Sequence, residues 1–161
     1  MAAQREAIFA ALFARLQARV TGVKVFSRKL TSFDDVAAAD QPAVFLVKGN
    51  EDPTPKQGFL PLWKLHADIV VFCRNDASPD APPSVQLNDL LTDIEAALER
   101  QPSEGPIADA PFPNTPGGSS FGTSLGGLCS HCWIAGTVEV GEGAIGDQAI
   151  AIIPIEILTT A

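Results

Sequence analysis

The residues best equipped for chemistry lie in one short run, Cys129-Ser130-His131-Cys132. A Cys-x-x-Cys pair can ligate zinc as thiolates, but a structural zinc site takes four ligands, usually from two such pairs. Only Cys73 and His66 remain as partners, both in the middle of another expected strand. The same spacing serves thiol redox chemistry when it opens a helix, whose N-terminal dipole lowers the thiol pKa. Here the run reads as extended chain, in which positions three apart point to opposite faces of a sheet. A Cys–His nucleophile pair would also need an orienting third group and an oxyanion pocket, and no pattern marks either. Neighbouring His131 and Cys132 diverge on a strand. The plainer reading is that Cys129 and Cys132 are small residues packed in a sheet. A small zinc- or thiol-dependent enzyme using Cys129, His131 and Cys132 stands as the alternative from a different class.

The remaining polar residues give catalysis no support. Asp89, Asp93 and Glu95 fall on or near the polar side of an expected helix, Glu139 and Glu142 flank a hairpin, and Asp34 and Asp35 sit in a loop. None is set among apolar neighbours in the way that raises a carboxyl pKa for acid–base work. His66 lies between Lys64 and Asp68 on a polar strand face and reads as a sheet histidine. Gly117, Gly118, Gly122, Gly126 and Gly127 lack the Gly-Lys-Ser/Thr ending of a phosphate loop and lead into a strand. The chain reads as a non-enzyme, with no cofactor and no metal expected.

Composition narrows the partners. A formal charge of −8 with eleven scattered Lys and Arg residues argues against a surface that grips DNA. No apolar run approaches the ~20 residues of a membrane-spanning helix. The N-terminus lacks the charged stretch, apolar core and cleavage site of a secretory signal, so cytoplasmic synthesis without a membrane is expected. Three cysteines make no even disulfide framework and read as reduced thiols.

The elements that would position these residues follow from periodicity. Ile8, Phe9, Leu12, Phe13 and Leu16 share one face of a helix expected from about Ala3 to Ala18. Strands are expected at Val23–Arg28, Ala43–Lys48 and Leu62–Arg74, with 49–58 as a loop, so that the last two strands form a long hairpin. In the third strand Trp63, Leu65, Ala67, Ile69 and Val71 share a face. The opposite face turns from polar (Lys64, His66, Asp68) to apolar (Val70, Phe72), which predicts a sheet half exposed at one end and covered on both sides at the other. A second helix, introduced by Pro79–Pro83 with Asp80 as candidate cap, carries the stripe Leu87, Leu90, Leu91, Ile94 and Leu98. Residues 102–127, with five prolines and a Gly/Ser cluster, have no periodicity and read as a loop or arm. Two closing strands, about Leu128–Val140 and Gln148–Leu158, are joined by 141–147. Pro154 argues for an edge position or a bulge. The sum is one domain spanning 1–161, an α+β fold with an antiparallel or mixed sheet of about four or five strands packed by two amphipathic helices.

Several stretches carry a family resemblance. They are Arg5-Glu6-Ala7-Ile8-Phe9-Ala10-Ala11-Leu12-Phe13, Val25-Phe26-Ser27-Arg28, Asp40-Gln41-Pro42-Ala43, Ala81-Pro82-Pro83 before Gln86-Leu87-Asn88-Asp89-Leu90-Leu91, Ser130-His131-Cys132-Trp133-Ile134, and the run from Gly146 to Ile155. Over nearly its full length the chain resembles the tail terminator (minor tail, tail completion) proteins of long-tailed bacteriophages and prophages. The Pro-rich insert at 105–123 is longer than the family pattern leads one to expect. The resemblance implies a structural virion protein, assembled in the host cytoplasm, that forms a hexameric ring of identical copies. Such a ring caps the tail tube, ends its polymerisation and presents the tail side of the head–tail joint. Its partners would be the major tail tube protein and the head–tail connector or stopper protein, with DNA passing through the lumen without specific binding. The contact residues this points to are Asn50, Glu51, Lys56 and Gln57 in the hairpin tip, Phe112 and Phe121 in the arm, and Glu142 and Asp147 at the last hairpin. Another neck or tail-completion protein is the nearest alternative. A cytosolic adaptor using Pro111-Phe112-Pro113 as a polyproline ligand ranks last, because the prolines are too irregular for a docking motif.

Overall fold

A computed structural model of the chain describes residues 2–55, 60–74, 84–101, 104, 122–142 and 148–160. Its helices are α1 (Ala2–Arg19) and α2 (Ser84–Leu98). Its strands are β1 (Val25–Ser27), β2 (Ala43–Thr54), β3 (Leu62–Arg74), β4 (His131–Ile134), β5 (Glu139–Glu142) and β6 (Gln148–Thr159). The strands make one mixed sheet in the order β1-β2-β3-β6-β4, with β5 also paired to β6. β1 runs parallel to β2; every other pairing is antiparallel. The fold is α+β.

Both helices cover one face of the sheet. Ile8, Phe9, Leu12 and Leu16 of α1 and Leu87, Leu90, Ile94 and Leu98 of α2 are buried with Leu65, Ala67, Ile69 and Val71 of β3. The two helical stripes and the β3 face are those that the periodicity predicts. On the other face, Ala43, Phe45, Val70 and Phe72 form a second cluster under Phe33 and Val36, which the short 3-10 turns between β1 and β2 supply. Phe33 meets Phe72 edge-on at 4.9 Å between ring centroids, a favoured aromatic geometry. Further along β3 the same face carries Lys64, His66 and Asp68, half exposed. The expected change from one-sided to two-sided cover is thus present.

Three expectations need correction. The stretch 49–54 is strand and not loop: β2 continues to Thr54 across a register shift between Lys48 and Glu51, so only 55–61 separates it from β3. The single strand expected over Leu128–Val140 is two, β4 and β5. Between them the Ala135 N–H bonds to the Pro154 carbonyl (2.8 Å), and Gly136 takes a φ of +101°, a left-handed value that suits glycine. That split makes six strands among the described residues. Pro154 lies neither on an edge strand nor at a bulge. β6 pairs in unbroken register with β3 on one side, while on the other β4 pairs Ile155–Leu158 and β5 pairs Ala149–Ile152. The proline falls in the gap between β4 and β5, where the ladder asks no strand N–H of it. Asp80 and Pro79–Pro83 lie outside the described residues.

Candidate functional site

The Cys–His cluster is assembled around a tight approach of backbone to imidazole. Cys129 closes a turn before β4 and does not extend the strand, so Cys129 and Cys132 both face the helix-side core and do not diverge to opposite faces. Cys73 of β3 belongs to the same core. Burial pushes the Cys73 and Cys129 thiols up to about 12, the latter also through the nearby Glu104 charge. Burial likewise raises the Cys132 thiol well above its ordinary value. Thiols so held are protonated at neutral pH and make poor nucleophiles and poor metal ligands. Among the described residues no group of three or more Cys, His, Asp and Glu side chains is placed to hold a metal ion.

His131 is buried on the opposite face, its ring 4.5 Å from that of Trp133. Burial, helped by the Arg100 charge, lowers its pKa. Gly122 closes over it at φ +80°, and a Cβ there would stand 2.3 Å from the His131 ring carbon Cε1. Thr123 then pairs with Cys132 through both backbone groups, at 2.8 Å each. Cys129, His131 and Cys132 are therefore packed side chains that fasten residues 122–130 to the sheet.

Glu104, which no sequence pattern marks, is the most heavily bonded carboxylate among the described residues. Its side chain is 5% exposed and lies 3.5 Å from the Arg15 guanidinium. It accepts from the Gln101 N–H (2.7 Å), the Gly126 N–H (3.3 Å) and the hydroxyl of Thr123. Desolvation pushes its carboxyl upward, but these donors and the Arg15 charge outweigh it and hold the pKa at about 2. Arg15 also donates to the Ala97 and Glu99 carbonyls (2.5 and 2.6 Å), which takes up the unpaired C-terminal end of α2. One ion pair thus ties α1, the end of α2 and the segment before β4. Of the expected arm at 102–127, the described residues are Glu104 and 122–127, and these are docked on the body.

The expected contact residues separate across the molecule. Asn50 is exposed at the β2 irregularity. Glu51, the next residue in β2, is engaged within the chain: it pairs with Arg5 of α1 and with Lys48 at 2.6 Å. The Arg5 guanidinium in turn lies 4.2 Å over the Trp63 ring. Glu142 ends β5, across the sheet from both. Lys56, Gln57, Phe112, Phe121 and Asp147, with the side chain of Glu142, lie outside the described residues. An open hollow lined by Thr21, Gly22, Pro42, Gln86, Asp89 and Asp93 sits between α2 and the start of β2, and in it Asp93 accepts from the Thr21 N–H and hydroxyl at 2.9 and 2.8 Å. None of the described helices is long and apolar enough to cross a membrane. No family model matches the chain, and no curated protein matches it.

Proposed function

We propose that this chain is a structural assembly protein of a long-tailed phage or prophage, a tail terminator. As a ring of identical copies, six by the family pattern, it caps the tail tube and offers the tail side of the head–tail joint. One observation carries the reading: the stretches that resemble the family are the framework of the fold. Arg5–Phe13 builds the buried face of α1, Val25–Ser27 is β1, and Asp40–Ala43 turns into β2. Gln86–Leu91 carries the first part of the α2 core stripe (Leu87 and Leu90), His131–Ile134 is β4, and Gln148–Ile155 is most of β6. A resemblance seated in the core and sheet concerns the whole domain and not a local motif.

The chemistry supports the same side. The groups that would serve an enzyme are buried thiols held protonated and a buried imidazole with a lowered pKa. A closed ring needs heterologous contacts between copies, for which a sheet whose outer strands β1 and β5 meet no further strand among the described residues is suited. The charge of −8 repels nucleic acid, which fits a lumen that DNA must leave without sticking. Purified protein, weighed intact and then imaged with preformed tail tubes by electron microscopy, tests the proposal. Density of ring-like mass at one tube end supports it. Decoration along tube walls, or none at all, removes it.

A further inference from the structure

Short strands bound the sheet, β1 on one side and β4 and β5 on the other, and the registers set β1 and β5 at the same level. Val25 pairs with Ala43, Ala43 with Phe72, Phe72 with Ile150, and Ile150 with Gly141. By the same steps Phe26 lies level with Val140, and Ser27 with Glu139. β1 and β5 are therefore the two ends of a single five-strand row, running in opposite directions. Among the described residues no strand pairs with the outer edge of either.

The two ends also differ in charge and share exposed apolar groups. Lys24, Arg28 and Lys29 flank β1, and all three are exposed. Glu139 and Glu142 bound β5. Val140 is 50% exposed at one edge, and Leu30, just past β1, is 47% exposed at the other. Phe26 is half-buried, on the same helix-side face as Val140, since both pair into the helix-side core through Val44 and Ala151.

We propose that these two edges are one contact between copies of this chain, the β5 edge of one copy adding to the β1 edge of the next. Continuing the row in register makes an antiparallel pair. It sets Val140 of one copy beside Phe26 of the next, and the Glu139 end of the first beside Lys29 of the next, where Arg28 already pairs with Glu6 of its own chain. Cross-strand apolar and opposite-charge pairs are the units that stabilise such a ladder. The contact is heterologous, so each copy keeps one free edge for the next, which is the geometry a ring requires. The inference rests on the ring reading in taking a second copy as the occupant.

Sedimentation over a range of protein concentrations tests it, with Val140→Lys, Lys29→Glu and the double variant Lys29→Glu/Glu139→Lys. These positions are exposed, and circular dichroism checks that each variant folds. The expected result is self-association of the wild type, weakened about tenfold or more by Val140→Lys. Lys29→Glu weakens it as well, and the double variant recovers association. Association untouched by Val140→Lys overturns the contact, as does a closed dimer lost with Phe26→Lys but kept with Val140→Lys. A wild-type chain that stays monomeric overturns the contact whatever it does at a tube end. A chain that assembles through these edges yet leaves tube length unchanged retires the terminator reading alone.

Discussion

Replacing Glu104 with glutamine removes one charge and leaves the side chain's shape. In the folded chain the carboxyl titrates at about 2 against an ordinary 4.5. At about 1.4 kcal/mol per pKa unit, that gap sets a ceiling of roughly 3.5 kcal/mol on what ionisation adds to stability. Water reaching the site screens part of it, and glutamine keeps some of the acceptor bonds, so a loss of about 2 kcal/mol is expected at pH 7. For a chain of this size that lowers the melting temperature by roughly 4–8 °C. The sign with pH follows from the depressed value. The stabilisation is complete above 4.5, where the unfolded carboxyl is also ionised, and is lost as pH falls toward 2. Urea denaturation of wild type and Glu104→Gln at pH 7 and again near pH 3 measures both numbers. The gap between the two proteins should be widest at pH 7 and shrink on acidification. A gap below about 0.5 kcal/mol at pH 7, the size of an ordinary surface substitution, refutes the role given to Glu104. So does a gap that acid leaves unchanged.

Gly122→Ala should cost about 2 kcal/mol or more by denaturation, because an added Cβ meets the His131 ring and the backbone there is left-handed; a neutral result would mean that the 122–130 segment is not fastened this way. Arg5→Ala should cost about 1–2 kcal/mol and shift the tryptophan fluorescence, since it removes both a Glu51 partner and the cation over Trp63. Arg5→Lys should recover only part, lacking the planar stack. The three thiols should react with a thiol reagent only as fast as the protein opens, and chelator should leave the melting temperature unchanged. Fast labelling of the native protein or a chelator-induced drop would return Cys129 and Cys132 to chemistry.

How much was legible in the sequence depended on how local the deciding forces are. The faces of α1 and β3 follow from side-chain period alone, so Ile8, Leu12, Leu65 and Ile69 were placed correctly as core. Residues 49–54 (Gly-Asn-Glu-Asp-Pro-Thr) have loop composition, yet they sit in β2, where Glu51 joins Arg5, 46 residues away in the chain, and Pro53 pairs opposite Trp63. Nothing local reveals such partners. Pro154 was misplaced for a related reason: its tolerance depends on β4 and β5 ending on either side of it, a fact of tertiary pairing. The Cys-Ser-His-Cys run was legible as packing, but its orientation was not, because the turn at 125–130 moves Cys129 off the strand. Glu104 left no sequence signal at all, since its donors come from three separate segments. The level of β1 with β5 likewise appears only when four registers are read in series.

The proposed terminator role requires that this protein stop tail tubes from growing. The most direct measurement is the length distribution of tubes polymerised from the major tail tube protein on a length-setting template, with and without the purified chain. Tubes of one length, each capped at the same end, are expected when the chain is present, and overgrown tubes when it is absent. Overgrowth that persists with the chain in excess contradicts that role.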